Sequence, residues 1–269
     1  MICRASKPFR TTKRSGVMNA LEVGPIRTNE RVSADMYRLV AELPRLAQTT
    51  RPGQFLHVRT ARGWDPLLRR PFSPSRVDRE NGLVEMVYRV VGRGTELMTR
   101  MRAGDEIDVL GPRGTTFTLD GKMLMVGGGV GIAPILFAAQ QAAGTATVII
   151  GGRSREELFW QDYFPDTIHD LLLTTDDGSV GHHGYAVDLV PALLASGEFD
   201  RVLCCGPTIL MSKVAAAAYA AGVPCEVSFE RRMGCGTGGC YACVCDRKDG
   251  THAKVCQEGP VFDSREVIL

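Results

Sequence analysis

The stretch MLMVGGGVGIAP, Met123–Pro134, decides the fold of the middle of the chain. Its first four residues are apolar, which indicates a strand buried on both faces, and the apolar residues after the glycines indicate a helix. At such a strand–helix turn, backbone amides and the helix dipole bind nucleotide phosphates. The turn departs from the G-x-G-x-x-G pattern and lacks an acid about 20 residues later, so an ordinary structural turn stays an alternative.

Strand-like and helix-like segments alternate four times between residues 120 and 229, which predicts an α/β domain with helices around a parallel sheet. Such folds bind ligands at the carboxyl ends of their strands, where CGP follows RVLCC. The predicted nucleotide contacts are Gly128, Gly129, Gly131, Cys205, Gly206 and Pro207. Two arginines suit a 2′-phosphate and two aspartates suit ribose hydroxyls, which leaves NADP and NAD both open. These residues are Arg153, Arg155, Asp176 and Asp177.

Residues 18–119 read as short β-strands separated by turn signals. The segments MYRLVAEL, GQFLHVRT and LVEMVYRVV are rich in strand formers, and Pro44, RPG and NG punctuate them. The pattern predicts a small antiparallel barrel with one helix near TELMTRM. In a barrel that binds FAD, Arg70 would serve the pyrophosphate, Ser73 the flavin edge, and Gly94-Thr95 would offer amides and a hydroxyl to phosphate. Singly these signals are weak, because an Arg-Pro pair is more often structural.

Five of the nine cysteines fall in residues 230–269, in and after ERRMGCGTGGCYACVC. Cys235, Cys240 and Cys243 have the spacing C-x4-C-x2-C. Cys256 follows after twelve intervening residues, and the whole matches the plant-type arrangement for a [2Fe–2S] cluster. A structural zinc and disulfides are the alternatives. We expect Cys245, two residues past Cys243, not to be a ligand.

Bulk composition limits the classes of partner. The 269 residues suggest about two domains, and a formal net charge of +2 argues against a nucleic-acid partner. No apolar run approaches the roughly 20 residues that span a bilayer. Without a secretory signal we expect a reducing cytoplasm, where clustered cysteines more often bind metal. Residues 1–17 are basic, so we expect a solvated extension, with a targeting or membrane-touching role as the alternative.

The motifs follow a specific order along the chain: RPFS, then GRGT, then GGGVGIAP, then CGP. This order resembles the ferredoxin–NAD(P) reductase superfamily. The segment EVSFERRMGCGTGGCYACVC with KVCQEGPVFD is similar, more narrowly, to the electron-transfer subunits of NAD-linked type B dihydroorotate dehydrogenases. The likeness covers residues 18–269. Arg231, where an acid is expected, and the short interval from Cys243 to Cys256 depart from that pattern.

The resemblance implies an FAD-binding β-barrel over 18–119, a parallel-sheet NAD-binding α/β domain over 120–229 and a [2Fe–2S] module over 230–269, with no catalytic residue of the chain's own. It implies that FAD contacts Arg70, Pro71, Phe72, Ser73, Val87, Tyr88, Arg89, Gly94 and Thr95. It also implies that the cluster is held by Cys235, Cys240, Cys243 and Cys256.

By the same resemblance, the chain passes electrons from the FMN of a dihydroorotate dehydrogenase catalytic subunit through the cluster and FAD to NAD⁺, in pyrimidine (UMP) biosynthesis. The implied assembly is a heterotetramer with two subunits of each kind. We expect the Cys-rich segment and the residues around Gly259-Pro260 at its interface. Two alternatives stay open: a reductase subunit that serves a hydrogenase, an oxygenase or a ferredoxin, and a zinc-stabilised regulatory or scaffold protein.

Overall fold

The computed structural model describes residues 20–142 and 146–269. It contains the predicted antiparallel barrel, the predicted parallel sheet and a C-terminal module. The basic extension predicted for residues 1–17 and the barrel start predicted at residue 18 lie outside the described residues. None of the helices in the described part of the chain has the length and apolar character that crossing a bilayer requires.

The barrel consists of seven antiparallel strands and two short helices. Its elements are β1 (Ala20–Arg31), β2 (Met36–Glu42), α1 (Pro44–Thr49), β3 (Phe55–Arg59), β4 (Arg70–Phe72), β5 (Pro74–Asp78), β6 (Leu83–Arg89), α2 (Arg93–Met98) and β7 (Glu106–Arg113). The strand order is β4-β3-β7-β1-β2-β6-β5. Ser73 alone separates the edge strands β4 and β5, so the sheet nearly closes on itself. Leu39, Leu56 and Met86 are among the side chains that fill its core.

Helix α1 departs from the sequence prediction, because the turn signal at Pro44 predicts a break. Proline favours the first position of a helix, where its fixed φ fits and its missing N–H would have no partner. Leu46 and Ala47 bury this helix in the barrel core. The backbone N–H of Leu46 donates to Glu22 Oε2 at 2.8 Å. The helix predicted near TELMTRM is confirmed as α2.

The nucleotide domain has a sheet with six parallel strands. Its elements are β8 (Met123–Gly128), α3 (Ile132–Ala139), β9 (Ala146–Gly152), β10 (Asp170–Thr175), β11 (His182–His183), α4 (Ala186–Leu194), β12 (Arg201–Cys205), α5 (Thr208–Ala220) and β13 (Cys225–Ser228). These strands lie in the order β11-β10-β9-β8-β12-β13. Every residue of β8 is buried, as the apolar run at its start predicts, and the glycines after it enter α3 through a 3₁₀ turn at Gly129–Gly131.

One segment expected to be helical, EELFWQDYF, instead forms 3₁₀ turns over Arg155–Tyr163. Leu158 breaks the segment with φ −98° and ψ 23°. Leu158 and Trp160 are both fully buried. Residues two apart lie on nearly opposite faces of an α-helix, so a regular helix would bury only one of them. The tighter, interrupted backbone lets both side chains reach the core.

The cysteine-rich module is attached to both other parts of the fold. Its elements are β14 (Val244–Asp246), β15 (His252–Lys254), α6 (Val255–Glu258) and β16 (Val261–Asp263). Strand β16 pairs antiparallel with β13 and becomes the seventh strand of the nucleotide sheet. Gly259 and Pro260 are buried, and the Gly259 carbonyl accepts the N–H of Thr115 at 2.7 Å. The dipeptide itself therefore packs against the chain's own barrel, while Gln257 nearby is exposed, so an interface around this position stays a prediction.

Candidate functional site

A cleft of about 920 Å³, here termed the flavin cleft, opens between the barrel, the nucleotide domain and the cysteine-rich module. All nine residues predicted to contact FAD line it: Arg70, Pro71, Phe72, Ser73, Val87, Tyr88, Arg89, Gly94 and Thr95. The rest of the lining is Val91, Gly92, Arg93, Val130, Gly131, Ala133, Pro134, Cys205, Glu230, Arg231, Arg232 and Ala242. Motifs that lie far apart in the sequence thus converge on one cavity.

Arg70 supplies an available cation at this cleft. Its Nη1 donates to the Leu68 carbonyl at 2.7 Å, and no carboxylate forms an ion pair with it in the described part of the chain. A Cβ placed on Gly94 would lie 3.1 Å from Arg70 Nε, so the glycine leaves room for the guanidinium beside the start of α2. A guanidinium with free donors suits a pyrophosphate, which it binds with charge-assisted hydrogen bonds.

Two of the predicted flavin contacts use their side chains inside the protein. The Thr95 hydroxyl accepts the backbone N–H of Val91 at 3.0 Å and donates to the Gly92 carbonyl at 2.9 Å. It therefore stabilises the loop before α2, which leaves the backbone amide of Thr95 for a phosphate. The Tyr88 hydroxyl donates to Asn29 Oδ1 at 3.1 Å, and burial raises its pKa. The phenol of Tyr88 thus supports the barrel wall.

A second cleft, of about 460 Å³ and here termed the nucleotide cleft, lies at the carboxyl ends of β8, β9 and β10. Three of the predicted nucleotide contacts line it: Gly128, Gly129 and Pro207. Its other lining residues are Gly151, Gly152, Arg153, Glu157, Thr174, Asp176, Tyr185, Ala186, Val187, Ile209, Leu210 and Lys213. Arg89 lines both clefts, so the two cavities adjoin at this side chain.

The other three predicted nucleotide contacts lie at the junction of the two clefts. Gly131 and Cys205 line the flavin cleft, whereas Gly206 is at the turn between the cavities. A Cβ on Gly131 would lie 2.6 Å from the Cys205 carbonyl, so a larger residue would push the start of α3 away from β12. A Cβ on Gly206 would lie 3.1 Å from the backbone nitrogen of Gly128. These two glycines are therefore required by close packing.

Glu157, which the sequence did not reveal, neutralises Arg153 in the nucleotide cleft. Its Oε1 accepts Arg153 Nε at 2.7 Å, and its Oε2 accepts the Arg153 backbone N–H at 2.9 Å. Arg89 Nη2 lies 3.4 Å from the same Oε1. Asp176 adds a second carboxylate to the lining. The cleft therefore holds Arg153 in an ion pair with Glu157.

The other two residues that bear on the choice between NAD and NADP lie outside this lining. The backbone N–H of Arg155 donates to Ser179 Oγ at 2.8 Å, and the Ser179 N–H donates to Asp177 Oδ1 at 2.9 Å. Both residues thus organise the loop after β10. Lys213 is a further cation in the nucleotide cleft, and its Nζ lies 6.0 Å from the ring centroid of Tyr185.

Glu230 is a further lining residue of the flavin cleft that was not predicted. It lies two residues after the end of β13, and its charge helps to raise the pKa of the buried Cys205 thiol, which burial raises most. Glu230 is exposed at the cleft, but the protein around its carboxyl partly removes it from solvent, and this desolvation raises the pKa of Glu230. Arg231, which departs from the expected acid, places its Cζ 4.5 Å from the Phe229 ring centroid. Glu230 comes shortly before the cysteine motif in the sequence, and this position is the one signal that could have marked it as a site residue.

The four predicted cluster ligands form two thiol pairs. The backbone N–H of Cys235 approaches Cys240 Sγ at 3.3 Å, and the N–H of Cys240 approaches Cys235 Sγ at 3.4 Å. Cys243 and Cys256 are both buried and form the second pair, in which burial and the Cys243 thiol raise the pKa of Cys256. Within the described residues, no three potential ligands converge on one metal ion. Two pairs fit a centre with two irons better than a single tetrahedral zinc, which needs four convergent ligands.

Cys235 and Cys256, one from each pair, differ in their readiness to ionise. Hydrogen bonding from Thr237 and nearby amides lowers the pKa of Cys235 to about 5, so this thiol ionises at neutral pH, as metal ligation requires. Burial and the neighbouring Cys243 raise the pKa of Cys256 to about 12. Cys245 is 2% exposed and lies opposite Ala253 in the β14–β15 hairpin. Its exclusion as a ligand stays a prediction.

Two families match separate parts of the chain. The family described as the iron–sulfur cluster binding domain of dihydroorotate dehydrogenase B matches residues 230–268. The family described as the oxidoreductase FAD-binding domain matches residues 24–117. These two ranges contain the four paired cysteines and the barrel wall of the flavin cleft. The chain therefore has an FAD-binding domain and an iron–sulfur domain.

Full-length relatives carry both parts in one chain. The dihydroorotate dehydrogenase B (NAD(+)) electron transfer subunit of Geobacillus kaustophilus (strain HTA426) is 39% identical, over 89% of this chain and 98% of its own. That of Desulforamulus reducens is 35% identical, over 88% and 94%. A chain of the NADH-dependent reduced ferredoxin–NADP oxidoreductase, solved in work on flavin-based electron bifurcation, superimposes with a TM-score of 0.82 at 32% identity, covering 93% of this chain and 91% of that one. Fold, paired cysteines and relatives agree, and the chain belongs to the family of electron transfer subunits of NAD-dependent dihydroorotate dehydrogenase B.

Proposed function

We propose that this chain carries electrons from the FMN of a dihydroorotate-oxidising subunit through a [2Fe–2S] cluster and FAD to NAD⁺, and so serves pyrimidine (UMP) biosynthesis. The observation that carries the proposal is the position of Ala242. This residue lies between two of the paired cysteines and also lines the flavin cleft. The cluster loop and the flavin cleft thus share a wall, which gives electrons a short route between the two cofactors.

The residues around both sites fit the groups they are proposed to hold. The flavin cleft offers the available guanidinium of Arg70 and the first amides of α2 to a pyrophosphate, and Ser73 to the flavin edge. The two thiol pairs offer four sulfur ligands to a [2Fe–2S] cluster. When bound, FAD supplies the exchange of hydride with nicotinamide and of single electrons with the cluster. The chain's own residues bind and orient these groups, and none needs to act as a general acid or base.

The nucleotide cleft supports NAD over NADP as the dinucleotide. Arg153 follows β9, at the place where α/β folds recognise the ribose 2′ position. Its guanidinium is held by Glu157, so it has little charge left for a 2′-phosphate. Asp176 lines the same cleft, where a carboxylate repels a phosphate and accepts a hydrogen bond from a ribose hydroxyl. The relatives whose names carry NAD(+) support the same choice.

The proposed partner is an FMN-containing catalytic subunit, in a cytoplasmic heterotetramer with two copies of each chain. The relatives are named as subunits, which supports a partner of this kind. Cys240 and Tyr241 of the cluster loop are exposed, Tyr241 by 65%, and give this partner an accessible edge next to the ligands. The proposed interface therefore centres on the cysteine-rich loop, without the buried Gly259-Pro260.

Reconstitution tests this function. We expect the purified chain, loaded with FAD and iron, to oxidise NADH with artificial acceptors but to leave dihydroorotate unchanged. Mixed with the matching catalytic subunit, it should support dihydroorotate-dependent reduction of NAD⁺. If the catalytic subunit alone reduces NAD⁺ equally well, and the added chain brings no gain, the proposed role is wrong.

A second candidate function is a reductase subunit for another acceptor, such as a ferredoxin. The likeness to the NADH-dependent reduced ferredoxin–NADP oxidoreductase chain favours it, since that likeness extends over nearly the whole of both chains. The same reconstitution separates the two candidates. Ferredoxin reduction that needs no dihydroorotate-oxidising subunit, together with no gain when that subunit is added, would favour the second.

A further inference from the structure

Arg113, the last residue of β7, reaches from the barrel to the cluster loop. Its Nε donates to the Gly236 carbonyl at 2.8 Å, and Gly236 directly follows Cys235. Arg113 is 6% exposed. No carboxylate forms an ion pair with it in the described ranges 20–142 and 146–269. The guanidinium is thus a buried charge whose one hydrogen-bond acceptor here is a neutral carbonyl.

Other arginines of the barrel meet carboxylates at similar or lesser burial. Arg69 Nη2 donates to both oxygens of Asp108 at 2.9 Å, and Arg38 Nε donates to Glu85 Oε2 at 2.7 Å. Burial of a charge without a counterion is costly, so proteins usually pair a buried cation with an anion. Arg113 is therefore the exception that calls for an anion beside the cluster loop.

The neighbouring His57 does not supply that anion. It is 1% exposed, and neither ring nitrogen has a hydrogen-bond partner. A Cβ on Gly236, which has φ +66°, would lie 2.4 Å from His57 Nδ1, so the ring fills the space beneath the loop. An imidazole is neutral or positively charged, so it cannot supply a negative charge beside Arg113. The charge of Arg113 stays uncompensated by this ring.

We propose that Arg113 compensates the negative charge of the iron–sulfur cluster and so raises the reduction potential of the cluster. Four thiolates and two sulfides outweigh two ferric ions, so the oxidised cluster is anionic, and one-electron reduction adds another negative charge. A nearby buried cation stabilises the reduced form more than the oxidised form. The inference rests on the proposed ligation by Cys235, Cys240, Cys243 and Cys256. It makes the barrel, and not the cysteine module alone, responsible for how readily the cluster accepts an electron.

A redox titration of the purified chain, followed by the electron paramagnetic resonance signal of the reduced cluster, tests the inference. Arg113→Gln removes the charge but keeps N–H donors, and Arg113→Lys keeps the charge. For Arg113→Gln we expect the reduction potential of the cluster to fall by about 59 mV. For a one-electron couple this fall makes the equilibrium constant for reduction about tenfold smaller. Arg113→Lys should stay near the wild-type potential. The potential of FAD should change less than that of the cluster in both variants.

Arg27→Gln is the matched control, because Arg27 carries the same charge but is exposed and paired with Glu42. Its cluster potential should equal that of the wild type. An unchanged potential in Arg113→Gln, or an equal fall in Arg113→Lys, would overturn the inference. If Arg113→Gln assembles without iron, iron retained by Arg113→Lys supports the charge role and iron lost from both contradicts it. A wild-type chain without iron after reconstitution would instead contradict the proposed function.

Discussion

The flavin cleft and the nucleotide cleft each present an arginine, but the two arginines have different partners. Arg70 in the flavin cleft hydrogen-bonds to a backbone carbonyl and has no ion pair among the described residues. Arg153 in the nucleotide cleft is bound by Glu157 through its side chain and its backbone. An available cation suits an anionic group that stays bound, and a neutralised one suits a nucleotide that must leave in each turnover. The comparison shows that the same residue type can have different roles: an arginine without an ion pair can bind a phosphate, and one paired with a carboxylate is much less able to.

Loss of the cluster should have the largest effect of the changes considered, on both iron content and stability. Cys256→Ser takes one sulfur from the buried thiol pair, so most iron and acid-labile sulfide should be lost. Arg113 is then left without a counterion, and loss of one partner of a buried charge pair costs about 3–5 kcal/mol. Iron and sulfide analysis with chemical denaturation measure both effects. Cys245→Ser is the matched control, and full iron content in Cys256→Ser would contradict the ligand assignment.

Removal of the available cation should weaken FAD binding. Arg70→Ala deletes a charge-assisted contact of about 1.5–3 kcal/mol, so FAD should bind about tenfold more weakly or worse. FAD retained after dialysis and the dissociation constant of FAD for the apoprotein measure the effect. Arg76→Ala, an exposed arginine on β5, controls for loss of charge on the barrel. Equal FAD affinity in Arg70→Ala and the control would show that Arg70 does not contact the cofactor.

Removal of the carboxylate that pairs with Arg153 should make the nucleotide cleft resemble the flavin cleft, because each would then present an arginine without an ion pair. Glu157→Gln keeps the size of the side chain and one of its two acceptor oxygens, but it removes the negative charge that neutralises Arg153. We expect the ratio of kcat/KM for NADPH to that for NADH to rise about tenfold, because the removed carboxylate no longer opposes a 2′-phosphate. NADPH- and NADH-dependent reduction of an artificial acceptor gives this ratio. Asp162→Asn, a carboxylate in the same segment outside the cleft lining, is the control. An unchanged ratio would place the ribose elsewhere.

Asp176→Asn should shift the same ratio by a smaller amount. Asp176 is exposed at the nucleotide cleft, where solvent screens its charge, so an effect of about twofold to threefold is expected. The assay is the one used for Glu157→Gln, and the double variant should show both effects together. A fall in NADH use without any gain for NADPH would assign Asp176 to the ribose hydroxyls alone.

Sequence reasoning predicted the parts of the fold that local patterns specify. The apolar run before Gly127 predicted a buried strand, which β8 confirms. The four cysteines predicted as cluster ligands lie near one another, and the predicted FAD contacts line one cleft, while their roles as ligands stay predictions. Side-chain direction was beyond the reach of sequence reasoning. The hydroxyls of Thr95 and Tyr88 belong to motifs but bond within the barrel, because burial decided their partners.

Residues brought to the sites from other strands had no local signal at all. Glu157 is a local exception, since it lies four residues after Arg153, in the 3₁₀ segment that stands where a helix was expected. Arg113 and His57 come from two barrel strands whose residues are far in sequence from the cluster loop. Nothing in the composition around them indicates a metal site, so only tertiary contacts show their place. The same holds for Ala242, whose position is set by the turn between two cysteines.

The pairing of β13 with β16 has a consequence for movement during turnover. Residues 229–260, which include the cluster loop, connect two hydrogen-bonded strands, so the loop is tethered at both ends to the nucleotide sheet. Its contacts from Thr115 and Arg113 fasten it to the barrel as well. A carrier that swings between donor and acceptor would have to break all of these bonds in each cycle. The cluster loop is therefore held in one place, so electron transfer would occur at a fixed distance between the cluster and the flavin.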